Sequence, residues 1–100
     1  MAADRVLNMI GLAQKAGKVV SGEFMTEKAV KTGTACLVIL AEDASDNTKK
    51  KFRNMCEFYE VDYREYAPKY HLGHSMGKEF RASLAITDEG LAQAVRKKMD

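Results

Sequence analysis

Apolar positions change their period several times along this chain, and each change marks an element boundary. Val6, Leu7, Ile10 and Ala13 share one face of a helix predicted over roughly Ala3 to Ala16, and Gly17 stands where a C′ residue ends it. Val19 and Val20 predict a short strand. A second helix follows from Gly22 to Thr32, with Phe24, Lys28 and Lys31 repeating at i, i+4 and i+7 on an outward face. Thr26, Ala29, Val30 and Gly33 fall on the opposite face, small enough for the helix to lie close against a sheet. Cys36 to Ala41 is aliphatic without alternation, the pattern of a central strand covered on both sides. Helices must therefore flank the sheet.

Beyond Ala41, the acidic pair Glu42 and Asp43, with Ser45 and Asp46 as candidate caps, introduces a helix carrying the stripe Phe52, Met55, Cys56 and Tyr59. Val61 to Tyr66 reads as a short, partly exposed strand, and Pro68 is placed for the first turn of a helix reaching about Met76. Ala82 to Thr87 is a further strand, with Ser83 and Ala85 alternating against Leu84 and Ile86. Thr87, Asp88 and Glu89 then open a last helix that buries Leu91, Val95 and Met99. This alternation predicts an α/β fold, a three-layer α-β-α sandwich with a four-stranded mixed sheet. No repeat, low-complexity tract or linker interrupts it.

With 100 residues, 46% of them apolar, and one proline, the chain reads as a single domain over residues 1–100. Its longest apolar run, Ala35 to Ala41, is too short to span a bilayer, and no basic n-region precedes an apolar h-region. The expectation is a cytoplasmic protein with no membrane partner. Cys36 and Cys56 fall at apolar positions as reduced thiols, and with His71 and His74 near neither, they give no zinc template. No metal or other cofactor is expected.

A net charge of +2 does not by itself demand a nucleic-acid partner, so the distribution of cations matters more. The runs Lys49, Lys50, Lys51, Arg53 and Arg96, Lys97, Lys98 read as solvated helix faces, the second also offsetting a helix dipole. Lys15, Lys18, Lys28, Lys31, Lys69, Lys78 and Arg81 instead scatter around glycine-containing junctions.

Enzyme readings find little support. No GxGxxG follows a strand and no GK[ST] loop exists, while Gly73 and Gly77 in LGHSMG lack a preceding buried strand. His71, His74 and Ser75 invite a nucleophile-and-base reading, but no carboxylate is positioned by sequence to orient an imidazole. Glu42 and Asp43 sit where a phospho-acceptor pocket would hold a metal, but the further Asp and Lys are missing, and helix capping accounts for them better. No catalytic residue is assigned.

The ordered segments KAGKVVSG, EFMTEKAV, CLVILAED, YHLGHSMG and FRASLAI resemble the L7Ae/L30e superfamily of ribosomal proteins, which bind kink-turn RNA, and in particular its bacterial YlxQ-like branch. The resemblance covers nearly the whole chain. It implies an α-β-α sandwich, no catalysis, and RNA contact at two adjacent junctions. In the family, the first junction is a GTNEVTK-like motif whose amide and carboxylate read sheared guanine-adenine pairs. Aligned on Gly22 and Lys28, this chain carries Glu23, Phe24 and Met25 through that motif, with Phe24 and Met25 in place of the Asn and Glu. A phenyl ring stacks or wedges but cannot supply a bidentate contact to a base edge. The family's second junction is a hydrophobic loop that packs on flipped-out bases, and Gly77, Lys78, Glu79, Phe80 and Arg81 fill it here.

The expected RNA-binding set is thus Lys15, Lys18, Gly22, Glu23, Phe24, Met25, Lys28, Lys31, Lys78, Phe80 and Arg81. Gly22 lets a backbone approach, Lys28 and Lys31 neutralise phosphates, and Phe24 with Phe80 meets unstacked bases. Phe80 reads equally well as a core anchor, Met25 more readily as core than as contact, and Lys15 and Lys18 either extend the basic surface or are ordinary solvated lysines. The expected partner is structured RNA, ribosomal RNA included. The alternative is a protein-interaction module in which the same apolar patch anchors a ribosomal or other protein.

Overall fold

Residues 4–100 are described by a computed structural model, so Ala3, the first residue of the predicted opening helix, lies outside them. Among the described residues nine elements form: α1 Arg5–Lys15, β1 Val19–Ser21, α2 Glu23–Lys31, β2 Leu37–Leu40, α3 Asp46–Tyr59, β3 Asp62–Glu65, α4 Lys69–Ser75, β4 Ser83–Ile86 and α5 Glu89–Met99. The sheet runs in the order β1-β4-β2-β3. β4 is antiparallel to both β1 and β2, whereas β2 and β3 are parallel. Helix α1 packs on α4 and α5, and α2 packs on α3, so two helical layers enclose the sheet. This is the α-β-α sandwich with a four-stranded mixed sheet that the hydrophobic pattern predicts.

The aliphatic run Leu37 to Leu40 is fully buried because β2 lies inside the sheet beneath both layers. The alternation in β4 does not separate a wet face from a dry one. Ser83 and Ala85 are as buried as Leu84 and Ile86, since β4 too is central. On α3, Phe52 and Cys56 enter the core, but Met55 is half-buried and Tyr59 stands exposed beside Phe58 at the helix end, so the apolar stripe is narrower than its spacing implies. On α5, Val95 is buried together with Ala92, and Leu91 and Met99 reach only its margin. Cys36 precedes β2 rather than lying in it, and both cysteines are free. Burial pushes the Cys56 thiol up to about 11, so it serves as a small apolar group.

Local signals explain most boundaries. Asp4 Oδ1 accepts from the Leu7 amide at 2.9 Å, Ser45 Oγ from Thr48 at 3.1 Å, and Asp88 Oδ2 from Leu91 at 2.9 Å, capping α1, α3 and α5. Pro68 is the N-cap of α4 rather than its first helical residue, and a proline ring cannot cap through its side chain. Asp43 Oδ1 supplies that bond, accepting from the Lys69 amide at 2.9 Å. Half of the acidic pair after β2 therefore caps a helix distant in sequence rather than the one that follows. Gly33 is likewise not on the packing face of α2; it follows the C-cap Thr32, exposed and at φ 79°.

Gly73 shapes the chain that leads into the second expected junction. A Cβ there would lie 2.0 Å from the Glu79 carbonyl oxygen, so only glycine lets the chain after α4 fold back along the helix.

Candidate nucleic-acid interface

Two chain segments about sixty residues apart meet at one edge of the sheet. Ser21 pairs with Leu84 in the β1–β4 ladder, and immediately beyond it the Gly22 amide donates to the Ser83 carbonyl at 3.0 Å. Arg81 joins them again: its Nε donates to Ser21 Oγ at 3.1 Å and its Nη1 to the Phe80 carbonyl at 2.7 Å. Gly22 adopts φ 91° and ψ 157°, a conformation open essentially to glycine alone, which turns the chain from β1 into α2. As its N-cap, Gly22 has no side chain, so the first amides of α2 receive no side-chain cap.

Both phenylalanines of the expected set are on the surface. Phe24 is 74% exposed and Phe80 57%. The core-anchor reading of Phe80 is therefore ruled out by its position, and so is the core reading of Met25, which is 42% exposed. Thr26, Ala29 and Val30 hold the inner face of α2 against the sheet. Along its outer face Phe24, Glu27, Lys28, Lys31 and Thr32 line a shallow hollow of about 310 Å³.

Charge is unevenly available on that face. Lys31 pairs with Glu27 at 2.7 Å, and Lys51 from α3 reaches Glu23 at 2.9 Å and Glu27 at 2.8 Å. Hydrogen bonds from Lys31 and Lys51 hold the Glu27 carboxyl down to about 2. Glu23 is thus half of an ion pair, and part of the charge of Lys31 is already offset. Among the described residues Lys28 has no carboxylate partner, so its charge is fully available to a phosphate. The rest of the Lys49 to Arg53 run is also partly neutralised: Lys49 and Arg53 both approach Glu65. Arg96, expected to act on the helix dipole, is engaged by Glu89 at 2.6 Å and Asp62 at 3.6 Å.

In the second junction Lys78 is exposed, its amide donating to the Gly73 carbonyl at 2.8 Å. Arg81 is half-buried and turned inward by the two bonds above. Beside Phe80 stands Tyr70, its ring centroid 6.0 Å away, and Tyr70 stacks on His74 with centroids 6.0 Å apart and planes 13° from parallel. The sequence reading missed Tyr70; the signal available was its i, i+4 spacing to His74 on α4.

Lys15 and Lys18 are not brought to this edge. Lys18 sits at the other end of β1, its carbonyl accepting from the Thr87 amide at 2.9 Å, roughly 13 Å of strand from Gly22. Lys15 lies in a groove between α1 and α4 with Asp4, His71, His74 and Ser75. That groove gathers the groups of the nucleophile-and-base reading, but its candidate nucleophile and its carboxylate are otherwise engaged. Ser75 Oγ donates to the Leu72 carbonyl at 2.7 Å, and the Asp4 oxygens accept from the Leu7 amide and, at 2.8 Å, the Tyr66 hydroxyl. Partial burial works against ionisation of Asp4, but those hydrogen bonds prevail and hold its carboxyl below the usual range. Burial and the bond to Asp4 push the Tyr66 phenol up to about 12.

The model of the ribosomal protein L7Ae/L30e/S12e/Gadd45 family matches residues 4–96. The chain belongs to this family. Among L7Ae-family relatives, the RNA-binding protein YlxQ of Bacillus subtilis (strain 168) is 44% identical over 92 residues, covering 92% of either chain. RNA-binding protein YlxQ of Enterococcus faecium is 36% identical over 93 residues, 93% of this chain and 89% of the relative. A solved structure of a protein of unknown function from Bacillus halodurans superposes with a TM-score of 0.94 at 32% identity, covering 98% of this chain and 99% of the other. The Giardia lamblia 15.5kD RNA binding protein shares the fold, with a TM-score of 0.80 at 24% identity over 98% of this chain and 88% of that one. Within the described residues no helix is long and apolar enough to cross a membrane.

Proposed function

We propose that this chain is a non-catalytic, cytoplasmic RNA-binding protein that recognises structured, kink-turn-like RNA, ribosomal RNA included, and works in association with the ribosome. The whole chain acts as one RNA-binding domain. The observation that carries this reading is the edge at which Gly22 and Ser83 are hydrogen-bonded, with Phe24 and Phe80 exposed beside it and Lys28 unpaired by any described carboxylate. Membership of the L7Ae family and the RNA-binding names of the YlxQ relatives support the same class of partner.

The chemistry at this edge differs from hydrogen-bonded base reading. Phe24 and Met25 offer a ring and a thioether where amide and carboxylate readers are expected from the resemblance, so discrimination rests on shape and stacking. Base stacking on an exposed ring contributes about 1–3 kcal/mol per base and is tolerant of sequence. The protein therefore selects a bent or internally looped RNA that presents unstacked bases next to closely spaced phosphates. Lys28 and Lys78 meet those phosphates, and Lys31 does so more weakly because Glu27 competes for it.

The test compares a kink-turn hairpin with a regular duplex of equal length over a salt titration. The hairpin should bind tighter, and Lys28→Ala should lower the slope of log affinity against log salt by about 0.7–0.9, one phosphate contact. Lys31→Ala should lower it less. An unchanged slope in Lys28→Ala, or equal binding of hairpin and duplex, rejects the assignment and leaves the same apolar patch as a protein-docking surface.

A further inference from the structure

We propose a second RNA-binding site, the groove between α1 and α4, which takes a single-stranded segment leaving the structured element; it rests on the RNA-binding reading above. The groove encloses about 520 Å³, within the range of about 300–1,000 Å³ typical of sites for ligands of nucleotide size. Its walls combine the side chains of His71 and His74, the exposed Leu12 and Lys15. Gly11 lets α1 and α4 approach closely beneath it; a Cβ there would lie 2.9 Å from the Ser75 carbonyl oxygen.

A chain of rings links this groove to the proposed edge. Phe80 leans on Tyr70, Tyr70 stacks on His74, and His71 meets Tyr70 edge-on at 5.6 Å. Tyr70, His71, His74 and Phe80 are all exposed, so core packing does not account for the array. Ring faces with a cation beside them form the sequence-tolerant platform on which unpaired bases stack while the backbone is neutralised. Among the described residues Lys15 has no carboxylate partner. Asp4, the acidic group of the groove, directs its oxygens to Leu7 and Tyr66. RNA is favoured over a protein partner because Leu12 is the sole strongly exposed aliphatic side chain of the wall and the rest is rings, a cation and polar groups.

Fluorescence anisotropy on the full chain tests this with a blunt kink-turn hairpin, the same hairpin carrying a ten-nucleotide oligouridine tail on its 5′ or its 3′ strand, and decauridine alone. One of the tails should tighten binding by about tenfold, the lower part of what stacking one or two bases contributes. The double substitution His71→Ala and His74→Ala should abolish that gain while blunt-hairpin affinity stays within about twofold. Lys15→Gln, an exposed change that does not disturb packing, should lower the salt slope of the tailed probe alone by about 0.7. The groove assignment is overturned if neither tail changes affinity, or if the variants weaken blunt and tailed probes equally. Failure of the blunt hairpin to bind at all overturns the kink-turn reading instead; the groove then stands if decauridine binding is lost in the variants and falls if decauridine does not bind.

Discussion

At the β1–α2 junction the lysines stay on the exposed face, whereas in the α4–β4 loop the arginine is turned back into the protein. Lys28 is exposed and unpaired by any described carboxylate, with Lys31 half-neutralised by Glu27. Arg81 directs its guanidinium to Ser21 and the Phe80 carbonyl, closing one junction onto the other. The first junction is an exposed helix start; the second is a clasp that presents Phe80, Tyr70 and Lys78. A positive residue at such a junction can thus stay open to solvent or hold the shape of the junction, and hydrogen-bond partners decide which.

Three substitutions break or sharpen that contrast. The largest effect is expected for Gly73→Ala, whose Cβ would overlap the Glu79 carbonyl and push the clasp off α4. Urea denaturation should show a loss of about 3 kcal/mol, at the upper end for overpacking. Wild-type stability would mean that the close approach does not hold the loop. Arg81→Ala comes next: losing its two bonds should cost about 1–3 kcal/mol, with little change in the salt dependence of RNA binding. A slope lowered by a full phosphate contact at unchanged stability would reverse the contrast and make Arg81 a ligand contact.

The smallest effect concerns Glu27, which organises the cations of the first junction. Its carboxyl is depressed from the ordinary 4.5 to about 2 by Lys31 and Lys51. A depressed acid stabilises the fold above its unfolded value and loses that contribution as pH falls through the folded one. Glu27→Gln should therefore melt slightly below wild type at pH 7, and the two curves should converge between about pH 4.5 and 2. A gap that stays constant down to pH 2 would remove Glu27 from the ion-pair network. Because the pair is exposed, the gap should also shrink in high salt.

Elements were legible in the sequence because burial imposes a period: Val6 with Ile10, Phe52 with Cys56, and the uninterrupted run in β2 all mark buried faces. Strand order was not, since nothing local tells β4 to lie between β1 and β2. Contacts that depend on that order were hidden with it. Arg81 meets Ser21 across sixty intervening steps, and Asp43 caps a helix that begins at Lys69. For the candidate site, the helical spacing of Phe24, Lys28 and Lys31 correctly placed three side chains on an exposed face. Spacing carries no information on ion pairing, so Lys28 and Lys31 looked alike. Lys18 looked close to Gly22 because four residues are few in a chain, but in an extended strand they lead to the opposite end of the sheet.

Pairing of Ser21 with Leu84 carries an implication for how this surface can change over time. Side chains in a strand alternate between faces, so inserting or deleting one residue in β1 would shift every later position by half a period. Such an indel would rotate the start of α2 away from Phe80 even if all the contact residues were kept. Substitutions can therefore retune the patch one side chain at a time, whereas length changes in this three-residue strand are closed to it.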